Sequence, residues 1–147
     1  MRAVLDTNVI ISGLISSHGA PARIIDLIVL GRLTPVFDDR IMAEYREVLA
    51  RPKFSFQARD IEVLLDLFEA EGESIVALPL DVEDLPDSDD APFLEVAISA
   101  SCPLVTGNTK HYPEKKIGKL IKETSTLIMT PAELLRHEAD IGKQEDD

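Results

Sequence analysis

The sequence predicts an α/β fold, a three-layer α/β/α sandwich around a central parallel twisted sheet. Brief, uninterrupted apolar runs rich in β-branched residues recur along the chain, as strands buried on both faces require. Amphipathic helical patterns lie between them, so strand and helix alternate in the manner of crossover units. Several of the runs also end in Asp or Asn, and in parallel sheets the carboxyl ends of strands are where sites form.

The first run covers residues 3–5 and ends in Asp6. "TPVF" (34–37) ends in Asp38 and Asp39, "SIVAL" covers 74–78, "PLVT" (103–106) leads into Gly107 and Asn108, and "TLIM" (126–129) closes the series. Among the helical segments, "APARIIDLIVLGR" (20–32) is strongly apolar. "DDRIMAEYREVLARP" (38–52) places Ile41, Met42, Tyr45, Val48 and Leu49 on one face before Pro52 stops it. "ARDIEVLLDLFEAEG" (58–72) is amphipathic and closes at Gly72, a common residue after a helix. "DDAPFLEVAISASC" (89–102) has an acidic start with proline in its first turn. The last helix opens with "TPAE", in which Thr130 is the N-cap, Pro131 takes the first helical position and Glu133 completes a capping box.

The 147 residues, 45% of them apolar, suit one domain with a single core, placed at 1–140 and followed by a polar tail at 141–147. Cys102 is the sole cysteine, which excludes an internal disulfide framework; it reads as a small buried apolar residue. No apolar segment approaches the roughly 18 residues that span a bilayer. Asp6 and Asn8 interrupt the N-terminal apolar stretch where a secretory segment would be uniform, so a cytoplasmic protein with no membrane role is expected.

The formal charge of −12 argues against a sequence-blind nucleic-acid coat, which works by neutralising phosphates with Lys and Arg. It leaves room for an enzyme whose metal ions offset its carboxylates. The charge is also uneven: residues 110–122 hold Lys110, Lys115, Lys116, Lys119 and Lys122 against Glu114 alone. That stretch reads either as a solvated helix face or as a phosphate-facing rim.

Direction sorts the helical acids. At about 100° per residue, Glu44 falls on the flank of the stripe that carries Ile41 and Val48, and Glu47 falls on the wet side. The same test turns Asp90 inward with Phe93 and Leu94 and turns Glu95 outward. Asp6, Glu44 and Asp90 therefore converge above the sheet, with Asn108 beside them. Three packed carboxylates repel, and a divalent cation is the simplest means of keeping them ionised. Oxygen donors suit Mg²⁺ or Mn²⁺; zinc would call for clustered His or Cys, whereas His18, His111 and His137 are scattered and read as surface or lightly packed residues. Each acid also has a structural reading. Asp6 suits a cap for a turn after the first strand, Glu44 an edge-of-core residue, and Ser88, Asp89 or Asp90 a helix cap.

Taken in order, "VLDTNVIISGL", Glu44 in "AEYREVLARPKF", "DSDDAPFLEVAISA" and "LVTGNTKHYP" resemble the PIN domain, a metal-dependent ribonuclease fold that includes many toxins of toxin–antitoxin pairs. The likeness extends over roughly residues 2–135. It implies that Asp6, Glu44 and Asp90 are catalytic, metal-binding acids, with Asp89 as a neighbour for the last and Thr7 and Asn8 supporting the site by hydrogen bonds. It also implies hydrolysis of RNA with Mg²⁺ or Mn²⁺, Lys110, Lys115 and Lys116 at the RNA-binding rim, a small antitoxin partner and a homodimer. One departure stands out: the commoner pattern has an acid after Thr-Gly, and here the residue is Asn108, which offers a metal an amide oxygen without charge. A second metal, about 3.5–4 Å from the first in two-metal sites, is in doubt for that reason. A PIN-fold module with weak or absent catalysis is the alternative. Phosphotransfer through Asp6 is disfavoured, because that chemistry needs a second aspartate where Asn8 stands.

Overall fold

The computed structural model describes residues 1–80, 85 and 87–146. Five parallel strands lie in the order β3-β2-β1-β4-β5: β1 (Arg2–Leu5), β2 (Thr34–Phe37), β3 (Glu73–Ser74), β4 (Leu104–Val105) and β5 (Ile128–Met129). β1 is central, with Ala3 opposite Pro35 on one side and Leu5 opposite Val105 on the other. Ala3, Val4, Val36, Leu104 and Val105 are wholly buried, as strands covered on both faces must be. The α/β/α sandwich expected from the alternation of runs and helices is the architecture observed.

Among the described residues seven α-helices complete it: α1 (Thr7–Ile15), α2 (Ala20–Val29), α3 (Asp39–Leu49), α4 (Ala58–Glu71), α5 (Ala91–Ala100), α6 (Glu114–Thr124) and α7 (Pro131–Asp146). α5 packs on β1, β2 and β4 and against α3, which also meets α4; α1 packs on α2, and α2 on α7. Tyr45 of α3 anchors the centre. Its ring meets Phe68 edge-on at 5.8 Å, and its hydroxyl donates to the Leu5 carbonyl at 2.5 Å.

The helix α1 starts directly after β1, where the β-branched run of Val9, Ile10 and Ile11 gives little helical signal. Packing on α2 decides its state. The run at 74–78 is a strand only at its start. β2 ends at Phe37, whose carbonyl takes the Ile75 N–H, and beyond that point no strand among the described residues pairs with the run. Val76 is consequently 96% exposed. Gly72 closes α4 as expected, but in an extended conformation; its lack of a side chain is needed because a Cβ would lie 2.7 Å from the Pro35 carbonyl oxygen.

Thr130 does cap α7, its hydroxyl accepting the Glu133 N–H at 3.2 Å and donating to the Glu133 carboxylate. α7 continues to Asp146, through the stretch read as a polar tail. No helix among the described residues is long and apolar enough to cross a membrane.

Candidate functional site

Asp6 and Asp90 each occupy the N-cap position of a helix, α1 and α5, and among the described residues neither side chain makes a capping bond. Capping falls to other acids. Asp38 accepts the Ile41 N–H at 2.9 Å, and Asp87 accepts the Asp89 N–H at 2.9 Å in the short turn Ser88–Asp90. The readings of Asp6 and Asp90 as caps therefore fail on geometry, while both carboxylates still gain from the positive ends of their helices.

Released from capping, the two side chains meet. Asp6 (5% exposed) and Asp90 (8% exposed) come together with His111, each offering one ligand atom, and these atoms lie within 4.8 Å of one another. Three side-chain donors hold Asp6 Oδ2: the hydroxyls of Thr106 at 2.9 Å and Tyr112 at 3.5 Å, and the Asn8 amide at 3.3 Å. Asp90 Oδ2 is treated differently. It lies 3.2 Å from His111 Nδ1, but in a geometry that makes no hydrogen bond, so this buried oxygen has no hydrogen-bond partner among the described residues. An orphaned buried carboxylate oxygen is costly unless something else occupies its lone pair.

Glu44 of α3 stands outside the group of ligand atoms that brings Asp6, Asp90 and His111 together, and is tied to the site through Thr7. The Thr7 hydroxyl donates to its Oε2 at 2.5 Å, and the charges of Asp6, Asp89 and Asp87 act on it. Asn8 holds the far side, accepting the Gly107 N–H at 2.9 Å and so tying α1 to the loop after β4. The triplet after β1 thus divides its labour: Asp6 enters the cluster, Thr7 orients Glu44, and Asn8 fixes Asp6 and Gly107.

The electrostatics record the crowding. Burial raises all three carboxyls above their ordinary range, Asp90 to about 6, with the charge of Asp6 adding to the effect and His111 opposing it. Burial and the same charges push the Tyr112 phenol up, so it remains a neutral donor. A cation is what such a cluster needs, and two carboxylates with an orphaned oxygen between them are a chemically suitable donor set for one.

Two expectations are corrected. His111 is not a lightly packed bystander: the short turn Thr109–His111 returns it to the acids. Its partners come from other segments, so no spacing along the chain signals them. Glu95 does not face out; it is buried and meets Arg40 Nη1 at 3.4 Å, because α5 is central and buries five consecutive residues, Phe93 to Ala97. Asp38 and Asp39, also at a strand end, stay outside the cluster: Asp38 caps α3 and pairs with Arg40 at 2.8 Å, and Asp39 is exposed.

Asn108 is exposed, and its side-chain oxygen accepts the Lys110 N–H at 3.2 Å, capping the turn that carries His111. Lys110 and Lys115 line an open groove with Tyr112, which links that groove to Asp6; Lys116 is exposed on the first turn of α6. Asp89 is exposed and shares a second groove with Glu44. Thr106 and Tyr112 were not among the expected site residues. For Thr106 the signal was present, since it is a polar end to an apolar strand, as Asp6 is.

Comparison with known proteins bears on the fold and the family. An uncharacterized protein of Methanocaldococcus jannaschii, MJ1680, is 26% identical over 133 residues, covering 89% of this chain and 86% of that one. The structure of VapBC2 from Rickettsia felis, bound to a DNA fragment from its promoter, superposes with a TM-score of 0.51 at 18% identity, over 88% of this chain and 98% of the matched one, which establishes a shared fold. The family profile described as PIN domain matches residues 2–110, the span that carries Asp6, Glu44, Asp90 and the loop after β4. This chain belongs to the PIN domain family.

Proposed function

We propose that this protein is a Mg²⁺- or Mn²⁺-dependent ribonuclease that hydrolyses RNA phosphodiester bonds, with Asp6, Glu44 and Asp90 as its catalytic and metal-binding acids. The observation that carries the reading is the behaviour of Asp6 and Asp90: two buried aspartates at helix N-caps that forgo capping and converge, one with an unpartnered oxygen. When bound there, a divalent cation supplies charge neutralisation and an acidified water. The chain's own residues do the rest. Thr106, Tyr112 and Asn8 fix the rotamer of Asp6, and Thr7 fixes that of Glu44. Asn108 keeps a second lone pair on its capping oxygen for the cation or its water.

Lys110, Lys115 and Lys116 form the RNA-facing rim. A cationic rim reached through Tyr112 lets phosphate approach a protein of charge −12. The role of toxin in a toxin–antitoxin pair, with a small protein partner over the acids, a homodimeric state and a cytoplasmic location, follows from the family resemblance, and the fold shared with VapBC2 supports it.

The test is cleavage of end-labelled RNA by the purified protein with Mg²⁺ or Mn²⁺. Cleavage abolished by chelator and by Asp6→Asn is expected; cutting that survives Asp6→Asn refutes the mechanism. The second reading, a binding module with weak catalysis, draws on the uncharged Asn108. It prevails if the protein binds neither ion by calorimetry and cuts no RNA. Sedimentation that returns the monomer mass of 16.2 kDa at all concentrations removes the homodimer.

A further inference from the structure

We propose that His111 is a metal ligand, so that the cation site of this protein is a mixed one of carboxylate oxygens from Asp6 and Asp90 and one imidazole nitrogen. The proposal deepens the metal-dependent reading above and rests on it.

Three features of the structure argue for it. The turn Thr109–His111 is held at both ends: the Asn108 side chain accepts the Lys110 N–H, and the Asn108 carbonyl accepts the His111 N–H at 3.2 Å. This local closure carries the His111 ring back to the acids, where its nitrogen stands 3.2 Å from Asp90 Oδ2. Next, the contact is not a satisfied ion pair. No hydrogen bond forms between the two, and Asp90 Oδ2 is otherwise without a partner among the described residues. Two potential ligand atoms that stand 3.2 Å apart without a hydrogen bond between them are arranged as co-ligands are. Lastly, the ligand atoms of Asp6, Asp90 and His111 fit within 4.8 Å of one another, close to the span that a single ion bridges with two bonds of about 2.0–2.3 Å.

The consequence is selectivity. Mg²⁺ takes oxygen donors almost exclusively, whereas imidazole suits the later divalent ions. Mn²⁺ has affinity for both donor types. A site of carboxylates joined by one imidazole therefore favours Mn²⁺ over Mg²⁺, and the preference resides in one side chain.

The experiment uses the full chain, stripped of metal, with Mn²⁺ alone and Mg²⁺ alone as probes. Pulsed electron paramagnetic resonance of the Mn²⁺-loaded protein is expected to show nitrogen-14 coupling from a directly bound imidazole. His111→Ala should abolish that coupling and weaken Mn²⁺ binding by at least about tenfold, the lower range for disturbing a metal site, with Mg²⁺ binding nearly unchanged. His111 is partly exposed on a turn, and His111→Gln serves as a second variant that keeps a polar side chain. Tight Mn²⁺ binding without nitrogen coupling overturns the proposal but leaves the carboxylate site standing. So does coupling that persists in both variants, which would assign it to another histidine. Failure of the wild-type protein to bind Mn²⁺ overturns both this inference and the metal-dependent reading beneath it.

Discussion

Replacing Asp90 with asparagine should stabilise the metal-free protein and remove its response to metal. A carboxyl raised from an ordinary 3.8 to about 6 holds its proton more tightly in the folded chain than in the unfolded one. The native state is therefore penalised above pH 6, and the penalty fades as pH falls through about 6 towards the value of the unfolded chain. At about 1.36 kcal/mol per pH unit, full ionisation costs about 3 kcal/mol. The amide of the variant would carry no charge, and because Asp90 makes no capping bond, none is lost. What is lost is the favourable interaction with the N-terminus of α5, about 0.5 kcal/mol. The variant should thus gain about 2–3 kcal/mol at pH 7.5 in chelator, roughly half of that at pH 5, and almost nothing at pH 3.5.

Mn²⁺ closes that gap. At a hundred times its dissociation constant a ligand stabilises the state it binds by about 2.7 kcal/mol. Wild type should collect that gain and Asp90→Asn should not. Urea unfolding monitored by circular dichroism at three pH values, with chelator and with Mn²⁺, measures every term. A variant less stable than wild type at pH 7.5 in chelator refutes the electrostatic account. A variant that still gains from Mn²⁺ refutes the assignment of Asp90 as a ligand.

Thr7→Val should remove the hydroxyl that lowers the Glu44 carboxyl, raising that group further and moving the acid limb of the pH–activity profile upward, with a stability loss of about 1 kcal/mol; a profile that stays in place refutes the orienting role. Asn108→Asp keeps an acceptor for the Lys110 N–H and adds a negative charge, so calorimetry should show tighter Mg²⁺ binding; unchanged affinity would put residue 108 outside the coordination shell. Gly13→Ala places a Cβ 2.5 Å from Ile25 Cδ1 and 2.9 Å from the Pro21 carbonyl oxygen, which should force α1 off α2 and cost about 1–2 kcal/mol even after the helix-propensity gain. An unchanged or raised melting temperature would show that this helix pair is looser than the distances imply.

The parallel sheet was legible because burial on both faces leaves a continuous apolar run, and the runs at 3–5 and 34–37 are strands almost residue for residue. Strand length was not legible, since it depends on how far the neighbouring strand extends: 74–78 stops pairing where β2 gives way to α3. Glu44 and Glu47 were sorted correctly by helical phase because α3 has one wet face, the Glu47 side carrying a pair with Arg51. Glu95 was not, because α5 has neighbours on several sides and phase alone carries no information there. Asp6 could be singled out as a polar break in apolar surroundings, and Asp90 by its helical phase with Phe93 and Leu94. His111 could not, since what makes it part of the site is a turn closed by Asn108 and an approach to a residue from a distant segment.

Four aspartates test whether the site is a by-product of folding. Asp6, Asp38, Asp87 and Asp90 all stand at N-caps, where a free backbone N–H lies within reach and a capping bond is worth about 1 kcal/mol. Asp38 and Asp87 make that bond; Asp6 and Asp90 do not, although both are buried, as Asp38 is. Asp6 shares residue type and an extended backbone with the two that cap, so local position does not explain its departure; Asp90 differs in having a helical backbone at the end of the turn that Asp87 caps. The two that forgo capping are the two whose carboxylates meet, beside Glu44 held by Thr7 and His111 held by its capped turn. A chain selected for stability alone would satisfy these groups separately; departures from local rules that coincide at one point are what a functional site requires.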